Sequence, residues 1–158
     1  MKIVNIRIDD RLIHGQVAAV WSLFTKATRI MVIDDAAVKD TIQKGALKIA
    51  CPQQCKLSIL TAEKAAQNLK EQKYEGESVF IIVKGPKTLR KLYDLGFGMD
   101  TVNVGNMGGK QNTKMVKKAV SVSPEDIEDF LYLAGCGVHF TAQMVPDDEA
   151  SDFIKLLV

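Results

Sequence analysis

The sequence predicts an α/β fold, an open and mainly parallel twisted sheet of about seven strands with helices on both faces. Three observations lead to it. Short apolar runs alternate with segments of helical periodicity along the chain. No composition shift, low-complexity linker or internal repeat divides it, so residues 1–158 are expected to form one domain. With 47% hydrophobic and 25% charged residues, the chain can bury a core without disulfides or a metal.

The first strand is read over residues 2–8, where Val4, Ile6 and Ile8 alternate with Asn5 and Arg7. Val17, Val20, Trp21 and Phe24 then fall at i, i+3, i+4 and i+7, one apolar face of a helix starting near Gly15. Further strands are expected over residues 28–33, 56–60, 79–83 and 100–104, with later ones over 116–122 and 138–145. Helices are expected over residues 37–50, 62–71 and 86–95. Ser123-Pro124-Glu125-Asp126 is a start signal, an N-cap serine followed by proline and acidic residues. That helix should stop at Gly135, and a terminal helix should begin at Asp147.

Composition excludes some functions. The formal charge is only +2, and basic and acidic residues are interspersed, unlike the basic stripe of a nucleic-acid binder. Six Phe, three Tyr and one Trp are few for a base-stacking surface. The start, MKIVNIRIDD, lacks the apolar segment of a signal peptide, and no later run approaches a membrane span. Direct membrane insertion is therefore not expected. Three cysteines leave one unpaired, which suits a reducing compartment and points to the cytoplasm.

The segment that carries chemistry runs from Asp9 to Val17 and links the first strand to the first helix. Ligands of open parallel sheets bind beyond the carboxyl ends of strands, where this loop lies. Leu12 and Ile13 can anchor it by packing inwards, leaving its polar residues presented. His14 then stands just before a helix amino terminus, whose free N–H groups at Gly15 and Gln16 favour an anion. A neutral imidazole is a competent nucleophile near neutrality, its reference pKa being about 6.5. Arg11 offers a planar fork for phosphoryl oxygens, and Asp9 or Asp10 could orient Arg11 or select the tautomer of His14. By spacing alone, an exposed bystander histidine beside a loop charge cluster is the favoured reading. A non-catalytic module for a phosphorylated small ligand is the alternative function.

Other segments are less specific. Gly105-Asn106-Met107-Gly108-Gly109-Lys110 follows a strand but lacks the P-loop spacing and its Ser or Thr, so it reads as a tight turn or an anion-contacting loop. Lys84, at the end of the fourth strand, reads as a solvated loop lysine, with a phosphoryl contact as the alternative. Cys51, Cys55, Cys136 and His139 formally make a zinc ligand set, yet nothing in the sequence brings the two pairs together. His139, between Val138 and Phe140, reads as a satisfied strand residue.

Asp10-Arg11-Leu12-Ile13-His14-Gly15-Gln16-Val17 resembles the phosphorylation-site signature of the mannose/fructose/sorbose family of phosphotransferase-system (PTS) enzyme IIB subunits. The resemblance extends to Val102-Asn103-Val104-Gly105-Asn106-Met107, to Ser121-Val122-Ser123 leading into Pro124-Glu125-Asp126, and to Val145-Pro146. It implies an open, mainly parallel α/β sheet and a phosphocarrier that needs no cofactor or metal. His14 would take a phosphoryl group on ring Nδ1 from a IIA phosphohistidine. It would pass that group to a sugar delivered by the membrane subunits IIC and IID, which would hold the protein at the inner face of the membrane. Arg11 matches the arginine preceding the phosphohistidine, and Asp10 matches the motif. Gly105 and Asn106 are implied to lie beside the site, joining Gly15 and Gln16 as phosphate-binding candidates. Nothing local identifies the sugar.

Overall fold

The computed structural model describes residues 1–158. Seven strands form the main sheet in the spatial order β3 (Lys56–Leu60), β2 (Arg29–Ile33), β4 (Ser78–Val83), β1 (Lys2–Asp9), β5 (Thr101–Asn106), β8 (His139–Ala142) and β9 (Ser151–Asp152). Every neighbouring pair is parallel except β8 and β9. In β4, Val79 through Val83 are all at most 1% exposed, the continuous apolar run of a strand covered on both faces.

The helices divide between the two faces. α4 (Ala62–Lys70), α5 (Pro86–Asp94) and α6 (Pro124–Gly135) contribute Leu69, Leu89, Leu92, Phe130 and Leu133 to the larger core. α1 (Gly15–Thr25), α2 (Asp35–Lys39) and α3 (Thr41–Ala50) contribute Trp21, Ala37 and Leu47 to the smaller one. Ile6 and Ile8 of β1 join the larger core, so alternation turns Arg7 and Asp9 towards the other face. β1 leads through α1 to β2 on one side, whereas β4 leads through α5 to β5 on the other. The direction of winding thus reverses between β1 and β4, which opens a crevice at their carboxyl ends.

Four expectations need correction. The helix expected over 37–50 is two helices, because Asp40 leaves helical geometry (φ −104°, ψ 101°) to cap α3 by accepting from the N–H groups of Ile42 and Gln43. Residues 116–122 do not add a strand to the main sheet. They belong to an antiparallel ribbon of β6 (Lys114–Lys117) and β7 (Val120–Val122), turned at Ala119 with φ 68°. No helix starts at Asp147: the chain forms the short edge strand β9 and a 3₁₀ turn at Ile154–Leu156. Phe153 anchors that ending, its ring centroid 4.8 Å from that of Phe130. Finally, of the face read over Val17, Val20, Trp21 and Phe24, only Trp21 is fully buried, together with Ala18; Val17 is half-buried, and Val20 and Phe24 stay exposed, as does Leu23.

Candidate functional site

The loop between β1 and α1 is fixed from below. Leu12 donates its N–H to the Asp9 carbonyl at 2.9 Å and adopts φ 61°, a left-handed conformation that costs a leucine about 1–2 kcal/mol. Burial of its side chain, on the order of 1.5–3 kcal/mol, offsets that cost. Leu12 and Ile13 pack in the smaller core with Trp21, Ile30, Val32 and Phe80, as the sequence suggested.

His14 occupies the N-cap position of α1 in extended geometry (φ −139°, ψ 120°), and its exposed side chain makes no capping bond. Gly15 follows with φ 52°, and a Cβ added there would meet nothing within 4 Å. Gln16 is exposed in the first turn. The imidazole therefore stands in the open beside uncapped helix N–H groups, a geometry suited to an incoming anion.

Arg11 is held by Asp9. The Asp9 carboxylate accepts from the Arg11 backbone N–H at 3.0 Å, from Nε at 3.1 Å and from Nη2 at 3.1 Å. These hydrogen bonds, above all, hold the Arg11 guanidinium above its usual pKa. The fork leaves the Nη1 edge of Arg11 available, and the side chain is 35% exposed. Asp9 itself is buried and lies 3.7 Å from Nη2 of Arg7 on its other side.

Sequence reasoning missed Arg7. It is 1% exposed, the largest fully buried side chain of the protein. It donates through Nη1 to the side chain of Asn103 and, at 3.2 Å, to the Gln143 carbonyl, and its guanidinium carbon lies 5.5 Å from the centre of the Trp21 ring. Nε has no partner. Desolvation lowers its pKa to about 10, with Asp9 opposing the shift. The available signal was a charged residue at the centre of an apolar strand. Its neighbours on β5 and after β8 are nearly a hundred or more residues away in sequence.

The other candidates divide. Asp10 does not touch Arg11. Its carboxylate accepts from Asn106 Nδ2 at 2.6 Å and from the Gly108 N–H at 2.7 Å, and its own N–H donates to the Asn106 carbonyl. It thus ties the histidine loop to the loop after β5. Gly105 is buried, and a methyl group there would lie 2.5 Å from Nη1 of Arg7 and nearer still to the rest of the guanidinium. Room for Arg7 therefore accounts for this glycine. Lys84 pairs with Asp34 at 3.4 Å.

Cys51 and Cys55 sit beside α1, with Cys55 Sγ 3.3 Å from the Ala27 carbonyl, and burial raises both thiol pKa values. Cys136 caps the end of α6 and is exposed. His139 is exposed at the start of β8 rather than packed in the strand. No three His, Cys, Asp or Glu side chains cluster closely enough to hold a metal ion. No helix is long and apolar enough to cross a membrane.

Comparisons with known proteins extend this geometry. Residues 3–158 match the family described as the PTS system sorbose subfamily IIB component. The sorbose-specific EIIB component of Lacticaseibacillus casei is 36% identical over 154 residues, covering 98% of this chain and 94% of that protein. The mannose-specific EIIAB component of Escherichia coli K12 is 34% identical over 151 residues, or 96% of this chain and 47% of that longer protein. The crystal structure of the IIBSor domain of the sorbose permease from Klebsiella pneumoniae superimposes with a TM-score of 0.95 at 33% identity, covering 99% of this chain and 96% of that one.

Proposed function

The chain belongs to the sorbose subfamily of PTS IIB components and is a phosphocarrier of a sugar phosphotransferase system; from that premise we propose that His14 carries the phosphoryl group. The observation that bears this reading is the exposed, uncapped imidazole at the N-terminus of α1, three residues after an arginine fixed on a buried carboxylate.

The transfer runs in two displacements. The lone pair of His14 Nδ1 forms a P–N bond as the phosphoryl group leaves the donor imidazole. A sugar hydroxyl then attacks phosphorus, the P–N bond breaks, and the hydroxyl proton passes to the departing imidazole or to water. Such transfer asks the protein mainly for positioning and for compensation of charge on the phosphoryl oxygens. The free Nη1 edge of Arg11 and the N–H groups of Gly15 and Gln16 supply that compensation. Asp9 fixes Arg11. Asp10 and Asn106 hold the loop in place, and Gly105 acts indirectly by admitting Arg7.

The donor is a IIA phosphohistidine, a partnership supported by the single-chain EIIAB relative. The acceptor is a sugar presented by IIC and IID, which would bring the protein to the inner face of the membrane. Exposure of His14 supports this reading, since two partners must reach the same nitrogen in turn. Incubation with phosphorylated IIA should add one acid-labile, alkali-stable phosphoryl group, read by mass spectrometry. The His14→Ala protein should fold and accept none; phosphorylation of that variant would overturn the assignment.

A further inference from the structure

The crevice between the carboxyl ends of β1 and β4 holds a cleft of about 230 Å³ that the phosphocarrier reading leaves unused. Its lining includes Asp10, Lys84, Lys87, Thr88, Lys110 and Ser121, and Met107 is its single hydrophobic residue. Such a wall suits a small polar ligand better than a protein side, whose anchors are usually aromatic or aliphatic.

The charges inside are not balanced. The carboxylates already serve the fold: Asp10 binds Asn106 and Gly108, Asp34 caps α2 and pairs with Lys84, and Asp126 completes the capping box of α6. Lys87 and Lys110 have no carboxylate partner. Lys87 stands in the first turn of α5, where Gly85 provides no side-chain cap. Lys110 sits on a turn closed by Thr113, which donates to the Lys110 carbonyl at 2.7 Å and accepts from its N–H at 2.9 Å. The decisive residue is Ser121. It is only 8% exposed and lines the cleft, yet its hydroxyl makes no hydrogen bond within the protein. The hydroxyl is not among the buried polar atoms sealed off without a partner; it stays accessible from the cleft and is free to bond a ligand there.

We propose that this cleft binds a phosphorylated sugar, with Lys87 and Lys110 on the phosphate and Ser121 and Thr88 on sugar hydroxyls. The ligand class rests on the sugar-transfer reading above: the product of the second displacement is a polyol phosphate monoester released beside this crevice. The two ammonium groups match its charge, and the unpaired hydroxyls match its polyol. Asp10 joins the two sites, since it lines the cleft and belongs to the loop that carries His14.

The test is an amide NMR titration of the unphosphorylated chain with hexose phosphates, the same free hexoses, and inorganic phosphate. Saturable shifts are expected at residues 85–88, 108–110 and 121 with at least one hexose phosphate. Free hexose and phosphate should each bind about tenfold or more weakly, as each lacks half of the contacts. A K87Q/K110Q protein should lose about tenfold or more in affinity, and S121A a few-fold, while the dispersion of the same spectra reports that each is folded. Absence of saturation, shifts confined to residues 10–17, or equal binding of inorganic phosphate would each overturn the proposal. The titration uses no phosphoryl donor, so a negative result leaves the assignment of His14 intact. Failure of His14 to accept phosphate would likewise leave the titration to stand or fall by itself.

Discussion

Replacing Asp9 by Asn changes a single charge at nearly constant shape, and the structure says how much should depend on it. The carboxylate accepts three hydrogen bonds from Arg11 and lies 3.7 Å from the buried Arg7 guanidinium. An amide cannot accept on both of its ends, so its NH₂ group would face N–H donors of Arg11 and Arg7. Breaking a buried charge pair by removing one partner costs about 3–5 kcal/mol, and a chain of this size loses about 2–4 °C of Tm per kcal/mol. Asp9→Asn should therefore lower Tm by about 6–20 °C. Without Asp9 to oppose desolvation, Arg7 should also titrate below its present value of about 10. Arg11→Gln is the necessary companion. This change takes two side-chain hydrogen bonds from the buried Asp9, which keeps Arg7 and the residue 11 backbone N–H. It should therefore cost less than Asp9→Asn, about 1–3 kcal/mol, while phosphoryl acceptance from IIA falls roughly 10²-fold. Calorimetry and single-turnover phosphorylation at a temperature where all variants are folded separate the two effects. If Asp9 acts on the reaction through Arg11, the double variant should accept phosphate no more slowly than Arg11→Gln alone. Fully multiplicative rate losses, or an Asp9→Asn protein as stable as the wild type, would refute the reasoning.

Three further outcomes follow from the same contacts. Gly105→Ala should destabilise by about 3 kcal/mol, because its methyl group overlaps a guanidinium boxed in by Asn103, Gln143 and Trp21. Denaturant unfolding should show that cost largely vanish in an Arg7→Met background, where the side chain is uncharged and can yield. Asp40→Ala should cost about 1 kcal/mol, the value of the α3 cap, and leave phosphoryl acceptance at its wild-type rate. Asp35 has its pKa lowered by the Ala62 N–H and by Lys91, so its contribution to stability is present above the unfolded value near 3.9 and lost as pH falls through the lower folded value. Asp35→Asn should accordingly lower Tm at pH 7, and the gap from wild type should narrow and close as pH falls below the ordinary carboxylate range in a series of thermal melts.

What the sequence revealed depended on how local each determinant was. Alternation of apolar residues fixed β1, a continuous apolar run fixed β4, and Ser123-Pro124 announced α6, since each signal acts within one element. The break at Asp40 escaped because apolar periodicity runs on through it, while an aspartate that caps is visible only by its backbone angles. The ending from Asp147 escaped for the opposite reason. Its structure is set by the Phe153 ring packing on Phe130 and its N–H donating to the Phe140 carbonyl, contacts that no local pattern records.

The site shows the same division more sharply. His14, Arg11 and Asp10 were legible because they share one short loop. The assignment of the two aspartates was not, and the reason is strand parity. Asp9 is the last residue of β1 and turns to the same face as Arg7, two residues earlier, so it meets both arginines. Asp10 is one residue later and turns towards β5, where Asn106 and Gly108 take up its carboxylate. Exchanging these roles would put a buried cation beside no anion and leave Asp9 against the β5 loop without donors. The alternation Arg7-Asp9-Arg11 is thus a line of charges at i, i+2 and i+4, running from the closed core to the open loop. Its inner end needs burial and a glycine on the neighbouring strand, while its outer end must stay exposed to meet a phosphoryl group. A strand of strict polar and apolar alternation predicts the spacing; only the sheet order, which sets β5 beside β1, explains why the inner charge can be buried at all.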